Sequence, residues 1–356
     1  MKLEKLRKLR KLLAELDIDG LVITSSFNLH YMTSFTGSAG LAIVSKDRAA
    51  FITDFRYTEQ AKDQVKGYDI IEHKGNIVET AVQTANEFGV KRLGFEQNHM
   101  TFATYQQYSG KASGIELVPV SESVEKLRLI KSNEEIKILE EAAKIADHAF
   151  DHILTYIKPG LTEIAVMNEL EFFMRKEGAE GSSFDMIVAS GVRSSLPHGR
   201  ASEKVIESGD LVTLDFGAYY KGYCSDMTRT IAVGTPSDKL KEIYHIVLEA
   251  ENAGVDKIKP GLTGKEADRI TRDIIEKYGY GQYFGHSTGH GLGMEVHEAP
   301  GLSSRSDVVL EEGMVVTVEP GIYLPDVGGV RIEDDIVLTA DGNKRLTHSP
   351  KELIIL

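Results

Sequence analysis

Glu207-Ser-Gly-Asp-Leu-Val-Thr-Leu-Asp215-Phe-Gly217-Ala-Tyr219 returns 104 residues later as Glu311-Glu-Gly-Met-Val-Val-Thr-Val-Glu319-Pro-Gly321-Ile-Tyr323. In each copy a glycine turn feeds a run of apolar and β-branched residues, the composition of a buried strand. Each run then delivers one carboxylate, Asp215 or Glu319, at the same place. An ionised group there is costly unless it is paired or holds a cation. A single case reads as a strand end bonded to a loop; two matching cases read as a site. A second pair of segments, Ile157-Lys-Pro-Gly-Leu-Thr162 and Ile258-Lys-Pro-Gly-Leu-Thr263, lies upstream at an offset of 101. Each copy ends a helix at Pro-Gly and starts the next at Thr. The C-terminal part is therefore two related halves, helices followed by strands. A period this long points to a pseudo-twofold domain and not to a solenoid.

The rest of the chain reads as a smaller, separate layer. At 356 residues two domains are expected. Leu3, Leu6, Leu9, Leu12, Leu13 and Leu16 fall at helical spacing among lysines and arginines. That is an amphipathic helix packing on its own domain; a secretory signal needs a continuous apolar stretch instead. Leu21 to Thr24 reads as a strand after the Asp19-Gly20 turn, Leu41 to Val44 and Ala49 to Thr53 as a hairpin, Thr58 to Val65 as a helix and Lys91 to Phe95 as a strand. This alternation predicts an α/β layer domain over 1–124. The second domain is expected over 125–356, its first long helix opened by Ser132 as N-cap with Glu135 closing a capping box. No run approaches the roughly 18 apolar residues of a membrane span. The net charge of −13 argues against a general nucleic-acid or anionic-membrane surface. A single cysteine, Cys224, forbids an intramolecular disulfide and suits a reducing cytoplasm. Cys224 itself reads as a small strand residue.

The residues with chemistry cluster in the repeat. Asp226 follows Asp215 by eleven positions, with the turn signal Tyr219-Tyr-Lys-Gly222 between them. A tight hairpin there puts the two carboxylates roughly opposite each other on one face; a register shifted by one residue separates them. Bare carboxylates in cross-strand contact repel, and a cation removes the conflict. The segment His286-Ser-Thr-Gly-His290-Gly-Leu-Gly-Met-Glu-Val-His297 carries three histidines in twelve residues, among glycines that allow close backbone approach. Arg331-Ile-Glu333-Asp-Asp335 puts its alternate residues on one face if it is a strand. That run reads either as a solvated edge or, because apolar Ile336-Val-Leu338 follows, as a stretch with at least one carboxylate turned inward.

This order (Asp, Asp eleven on, His in Gly-His-Gly-x-Gly, Glu in Glu-Pro-Gly, Glu in Arg-Ile-Glu-Asp) resembles the creatinase/aminopeptidase P/prolidase group of metallopeptidases, along the whole chain. The resemblance implies a creatinase-like α/β N-terminal domain and an α+β pita-bread catalytic domain with pseudo-twofold symmetry. It implies Asp215, Asp226, His290, Glu319 and Glu333 as ligands of two divalent ions. The mostly hard oxygen donors favour Mn²⁺, with Co²⁺ or Zn²⁺ admissible. It further implies that His198 stabilises the tetrahedral intermediate, that His297 contacts the scissile carbonyl, and that His286 and Arg331 bind the proline end and its carboxylate, with Tyr323 close by. The expected reaction is hydrolysis of the bond between an N-terminal residue and proline. A hydroxide shared by the two ions attacks, and Glu319 passes the proton to the proline nitrogen. Proline has no N–H in that bond, so a site that grips the ring and a carboxylate suits it. Xaa-Pro dipeptides are the first expectation for substrate and longer peptides, as for aminopeptidase P, the second. A methionine aminopeptidase is disfavoured by the N-terminal domain and Arg331. A non-catalytic peptide-binding relative is disfavoured by the full ligand set. A cytoplasmic homodimer is expected by resemblance.

Overall fold

The computed structural model describes residues 2–356, with side chains from Glu4 onward, so the Leu3 side chain lies outside the described residues. The chain forms two compact units, Met1–Arg128 and Leu129–Leu356. Arg128 lies beyond the expected division after 124 because the helix Ser123–Arg128 is unbroken and stays with the first unit. Tyr31 Oη donates to Leu127 O and Arg128 Nη1 to Asn28 Oδ1, both at 2.8 Å.

The first unit runs α1 (Lys2–Glu15), β1 (Gly20–Ile23), α2 (Ser26–Thr33), β2 (Leu41–Ser45), β3 (Ala49–Thr53), α3 (Thr58–Gln64), β4 (Asp69–Glu72), α4 (Ile77–Glu87), β5 (Arg92–Glu96), α5 (Phe102–Lys111), β6 (Glu116–Val120) and α6 (Ser123–Arg128). Its strands form one mixed six-stranded sheet in the order β4-β3-β2-β1-β5-β6. The hairpin β2–β3 is antiparallel, and β5 lies parallel to β1. The apolar strands β1, β2 and β3 are buried throughout, and Pro119 sits on the edge strand β6, where its missing N–H costs least. Leu6, Leu9 and Leu13 of α1 are buried and Leu12 and Leu16 half-buried, so the leucine stripe faces its own domain.

The second unit opens with α7 (Asn133–Tyr156), whose Ser132 cap and Glu135 make the reciprocal capping box. There follow α8 (Glu163–Lys176), β7 (Gly181–Ser182), β8 (Ile187–Ser190), a 3₁₀ turn at Gly191–Ser195, β9 (Leu211–Phe216), β10 (Ala218–Tyr220), β11 (Tyr223–Cys224) and β12 (Met227–Ala232). The second half continues with α9 (Asp238–Lys257), α10 (Gly264–Lys277), a 3₁₀ turn at Gly281–Tyr283, β13 (Gly289–Gly291), β14 (Glu298–Leu302), β15 (Val315–Val318), β16 (Gly321–Leu324), β17 (Gly328–Arg331), β18 (Asp334–Thr339) and β19 (Gly342–Arg345). Each half carries two helices before its main sheet: β12-β9-β8 in the first, β14-β13-β15-β18-β19 in the second.

The sequence repeat is a structural repeat. Thr162 caps α8 through the Ala165 N–H, and Thr263 caps α10 through the Glu266 N–H. Thr162 bridges to Val205, and Thr263 to Val309. Gly160 N donates to Ile206 O and Gly261 N to Leu310 O. The repeat therefore fixes the path of the chain into β9 and β15, the strands that deliver Asp215 and Glu319.

The hairpin after β9 departs from the expected pairing. Its tip is Lys221-Gly222, both at positive φ (48° and 82°), a two-residue turn of the kind that matches strand twist. That tip pairs Tyr220 with Tyr223 and, further down, Asp215 with Thr228. Asp226 thus lies two residues from the position opposite Asp215, on the same face. The second acidic run is also not one strand: β17 ends at Arg331 and β18 begins at Asp334. Alternation survives the break, since Asp334 bonds Arg229 on the side away from Glu333 and Asp335.

Candidate active site

A cavity of about 680 Å³ in the second unit is lined by His198, Asp215, Asp226, His286, His290, His297, Glu319, Arg331 and Glu333, with Phe184, Ile187 and Val296 as its apolar wall and Asp185, Pro197, Arg200 and Ser287 among the rest. Nine of the ten expected residues therefore meet in one place. Asp215 is the penultimate residue of β9, Asp226 precedes β12, His290 lies in β13, Glu319 follows β15, and Glu333 sits between β17 and β18. The close approach of β13 to the Glu319 segment needs glycine: a Cβ on Gly289 would fall 2.0 Å from Thr317 O.

Asp226, His290 and Glu333 each present one atom within 4.8 Å of the others. His290 Nε2 stands 3.7 Å from Asp226 Oδ2 and 3.3 Å from Glu319 Oε1. Its Nδ1 is 3.0 Å from Gly291 O, and a carbonyl only accepts, so Nδ1 carries a proton and Nε2 is the nitrogen presented to the carboxylates. Thr317 Oγ1 donates to Glu319 Oε1 at 3.2 Å, and Thr228 Oγ1 to Glu333 Oε2 at 2.6 Å. Asp335 Oδ2 accepts the Asp226 N–H at 2.9 Å.

Three carboxylate oxygens here, Asp226 Oδ1, Glu333 Oε1 and Asp335 Oδ1, are buried with no hydrogen-bond partner. Buried polar atoms are rarely left so, and three together call for a cation. The electrostatics agree. Burial, then neighbouring carboxylates, pushes Asp226 well above the ordinary carboxylate range, and burial does the same to Glu333 and Asp335. Burial also raises Asp215, against the pull of Arg331. Glu319 goes the other way: burial opposes its charge, but the hydrogen bond and charge of His290 hold it below its usual value. The donors are carboxylates and one imidazole, which fits hard divalent ions.

The profile of metallopeptidase family M24 matches residues 137–340, and that of the creatinase/prolidase N-terminal domain matches 5–130. The chain belongs to metallopeptidase family M24. It is 73% identical to the uncharacterized peptidase YqhT of Bacillus subtilis, over 99% of this chain and 100% of the relative. It is 44% identical to an Xaa-Pro dipeptidase of Pyrococcus horikoshii, over 99% of each. Among solved structures it superposes on an Xaa-Pro dipeptidase from Bacillus anthracis with a TM-score of 0.99 and 63% identity, over 100% of each chain. This chain therefore carries a creatinase-type α/β domain ahead of a pita-bread catalytic domain, and members of the M24 family use divalent metals.

Within this M24 site three residues take places that the sequence did not assign them: Asp335, Thr228 and Thr317. Asp335 is as buried as Glu333 and its Oδ1 is one of the bare oxygens; the run Glu333-Asp-Asp335 showed only that some carboxylate turns inward. Thr228 and Thr317 hold carboxylate oxygens from strand positions indistinguishable in sequence from core residues. Tyr323 does not line the cavity; it stands behind it, its hydroxyl 2.9 Å from His286 Nε2 and accepting from Arg331 Nη1 at 2.7 Å. Arg331 is itself not an open fork. Nε donates to Thr228 Oγ1, Nη1 to Pro197 O and Tyr323 Oη, and Nη2 to Asp215 Oδ2, which engages four of its five N–H groups. Cys224 is buried with its thiol pushed up to about 12 by desolvation, which makes it inert as a nucleophile.

Proposed function

We propose that this chain is an Xaa-Pro dipeptidase in which Asp215, Asp226, His290, Glu319 and Glu333 hold two Mn²⁺ ions. The observation that carries the reading is the group of three bare, buried carboxylate oxygens on Asp226, Glu333 and Asp335, the first two of which line a cavity large enough for a dipeptide. When bound, such ions supply a Lewis acid and make a water acidic enough to attack a carbonyl near neutral pH. Asp226, His290 and Glu333 form one cluster, with Asp215 and Glu319 completing the pair. Asp335 backs the set by fixing the Asp226 backbone.

The protein's own groups do the rest. Thr317 takes Glu319 Oε1, leaving Oε2 to receive the proton of the attacking water and deliver it to the proline nitrogen as the C–N bond breaks. Burial lowers the His297 pKa, so near neutral pH its ring is uncharged and can donate one N–H to the scissile carbonyl oxygen as negative charge develops. His198, exposed on the loop after the 3₁₀ turn and lining the same cavity, shares that task. His286, kept neutral mainly by burial, packs against the proline ring. Arg331 acts chiefly by holding Asp215 and the Pro197 carbonyl, with its last N–H available to substrate.

On this reading the protein works as a cytoplasmic homodimer on Xaa-Pro dipeptides and other short proline peptides. The family resemblance supports the dimer. The lone cysteine supports the compartment, and among the described residues no helix is long and apolar enough to cross a membrane. The test is hydrolysis of Ala-Pro, Ala-Pro-Ala and Met-Ala by metal-stripped protein before and after Mn²⁺ is restored. The expected result is metal-dependent cleavage of Ala-Pro well above the other two. Preference for Ala-Pro-Ala would make the protein an aminopeptidase P; preference for Met-Ala would overturn the proline reading altogether.

A further inference from the structure

Arg331 is 3% exposed and has one N–H left to offer. A dipeptide brings a full carboxylate into the cavity one residue from the scissile bond, about 3.8 Å of chain away. In a longer peptide that position is a neutral amide. A cation free to turn toward that carboxylate favours dipeptides, and Arg331, with four of its five N–H groups bonded within the protein, has little freedom to do so.

The other arginine lining the cavity is Arg200. Ile187 pairs with Asp215 on one side and bridges to Arg200 on the other, so Arg200 stands two strand spacings from Asp215, about 10 Å across the sheet. Its side chain is 75% exposed and meets a single carboxylate, Asp185, at 2.6 Å; Asp185 is 73% exposed and also lines the cavity. An exposed ion pair of this kind opens at little cost. Arg200 also sits two residues after His198 on the same loop, so it is anchored to the reaction centre by its backbone while its guanidinium stays free to move. We propose that Arg200 is a specificity-determining residue: it receives the C-terminal carboxylate of a dipeptide, exchanging Asp185 for the substrate, and Asp185 is the competing anion that sets how firmly it does so. This deepens the dipeptidase reading and rests on it.

Charge sign gives the test. Arg200→Gln and Asp185→Asn are both surface changes, so both variants should fold. With manganese-loaded enzyme, Arg200→Gln should raise KM for Ala-Pro roughly tenfold, the worth of one hydrogen bond to a charged group, with kcat little changed. The same variant should leave KM for Ala-Pro amide, which lacks the carboxylate, where wild type has it. Asp185→Asn should lower KM for Ala-Pro, and Arg200→Lys should recover part of the loss. A residue that merely shaped the loop would move KM for the acid and the amide together, and both substitutions in one direction; either outcome overturns the proposal, as does an Arg200→Gln enzyme indistinguishable from wild type on Ala-Pro. Wild-type enzyme that fails to cut Ala-Pro at all would instead sink the dipeptidase reading.

Discussion

Glu333 concentrates the physical problem that the site solves. It is 1% exposed, one oxygen is bound by Thr228 and the other is bare. Without a cation its charge disfavours the fold, first because it is buried and then because Glu319 and Asp215 carry like charge. Glu333→Gln keeps the size and the Thr228 bond while removing that charge. Metal-free Glu333→Gln should therefore melt no lower than metal-free wild type. Its activity on Ala-Pro should fall by more than about a hundredfold, since even residues that only support a metal ligand are worth ten- to a hundredfold. Thermal melts with and without Mn²⁺, beside kcat/KM, check both halves; undiminished activity would remove Glu333 from the site. The five ligand candidates were legible because each sits in a short motif, and the two acidic positions of the repeat named each other. The engagement of Arg331 was not legible. Its partners Thr228 and Pro197 lie 103 and 134 residues away, and nothing local marks a threonine or a carbonyl as theirs.

Among the elements, the hairpin β9–β12 sets the spacing of the two aspartates. The signal Tyr-Tyr-Lys-Gly announced a turn but not which two residues would form its tip. Lys221 and Gly222 took it by adopting positive φ, and that choice moved Asp226 two residues from its expected partner. The caps at Ser132, Thr162 and Thr263 could be read correctly because capping is settled within four residues. Gly217 is the other constraint on this hairpin. A Cβ there would lie 1.8 Å from Ser225 O, so the strands pinch just where Asp215 and Asp226 are delivered. Gly217→Ala should destabilise the protein by about 1–3 kcal/mol, as overpacking does, and lower activity with it. Gly301→Ala, with nothing within 4 Å of the new methyl, should stay within about 0.5 kcal/mol of wild type. Denaturant melts of the two variants decide it; equal stability would mean that the pinch is not a constraint.

For the whole molecule, the buried acidic cluster couples metal to pH. The Asp226, Glu333 and Asp335 carboxyls have folded pKa values above their unfolded ones. A carboxyl of that kind favours the fold at low pH, and the advantage is lost as pH rises from the ordinary carboxylate range through the raised folded values. Bound cations reverse this by stabilising the ionised forms. Chelation should therefore lower the melting temperature more at pH 8 than at pH 5.5. A drop independent of pH would argue that these carboxylates do not meet the ions. The most direct measurement is metal content against activity on one sample: Mn²⁺-loaded protein, desalted, analysed for metal per chain and assayed on Ala-Pro, then stripped and assayed again. Two ions per chain, with hydrolysis lost on stripping and regained on reloading, is the predicted result. A chain that retains no metal yet cuts Ala-Pro at full rate would contradict it.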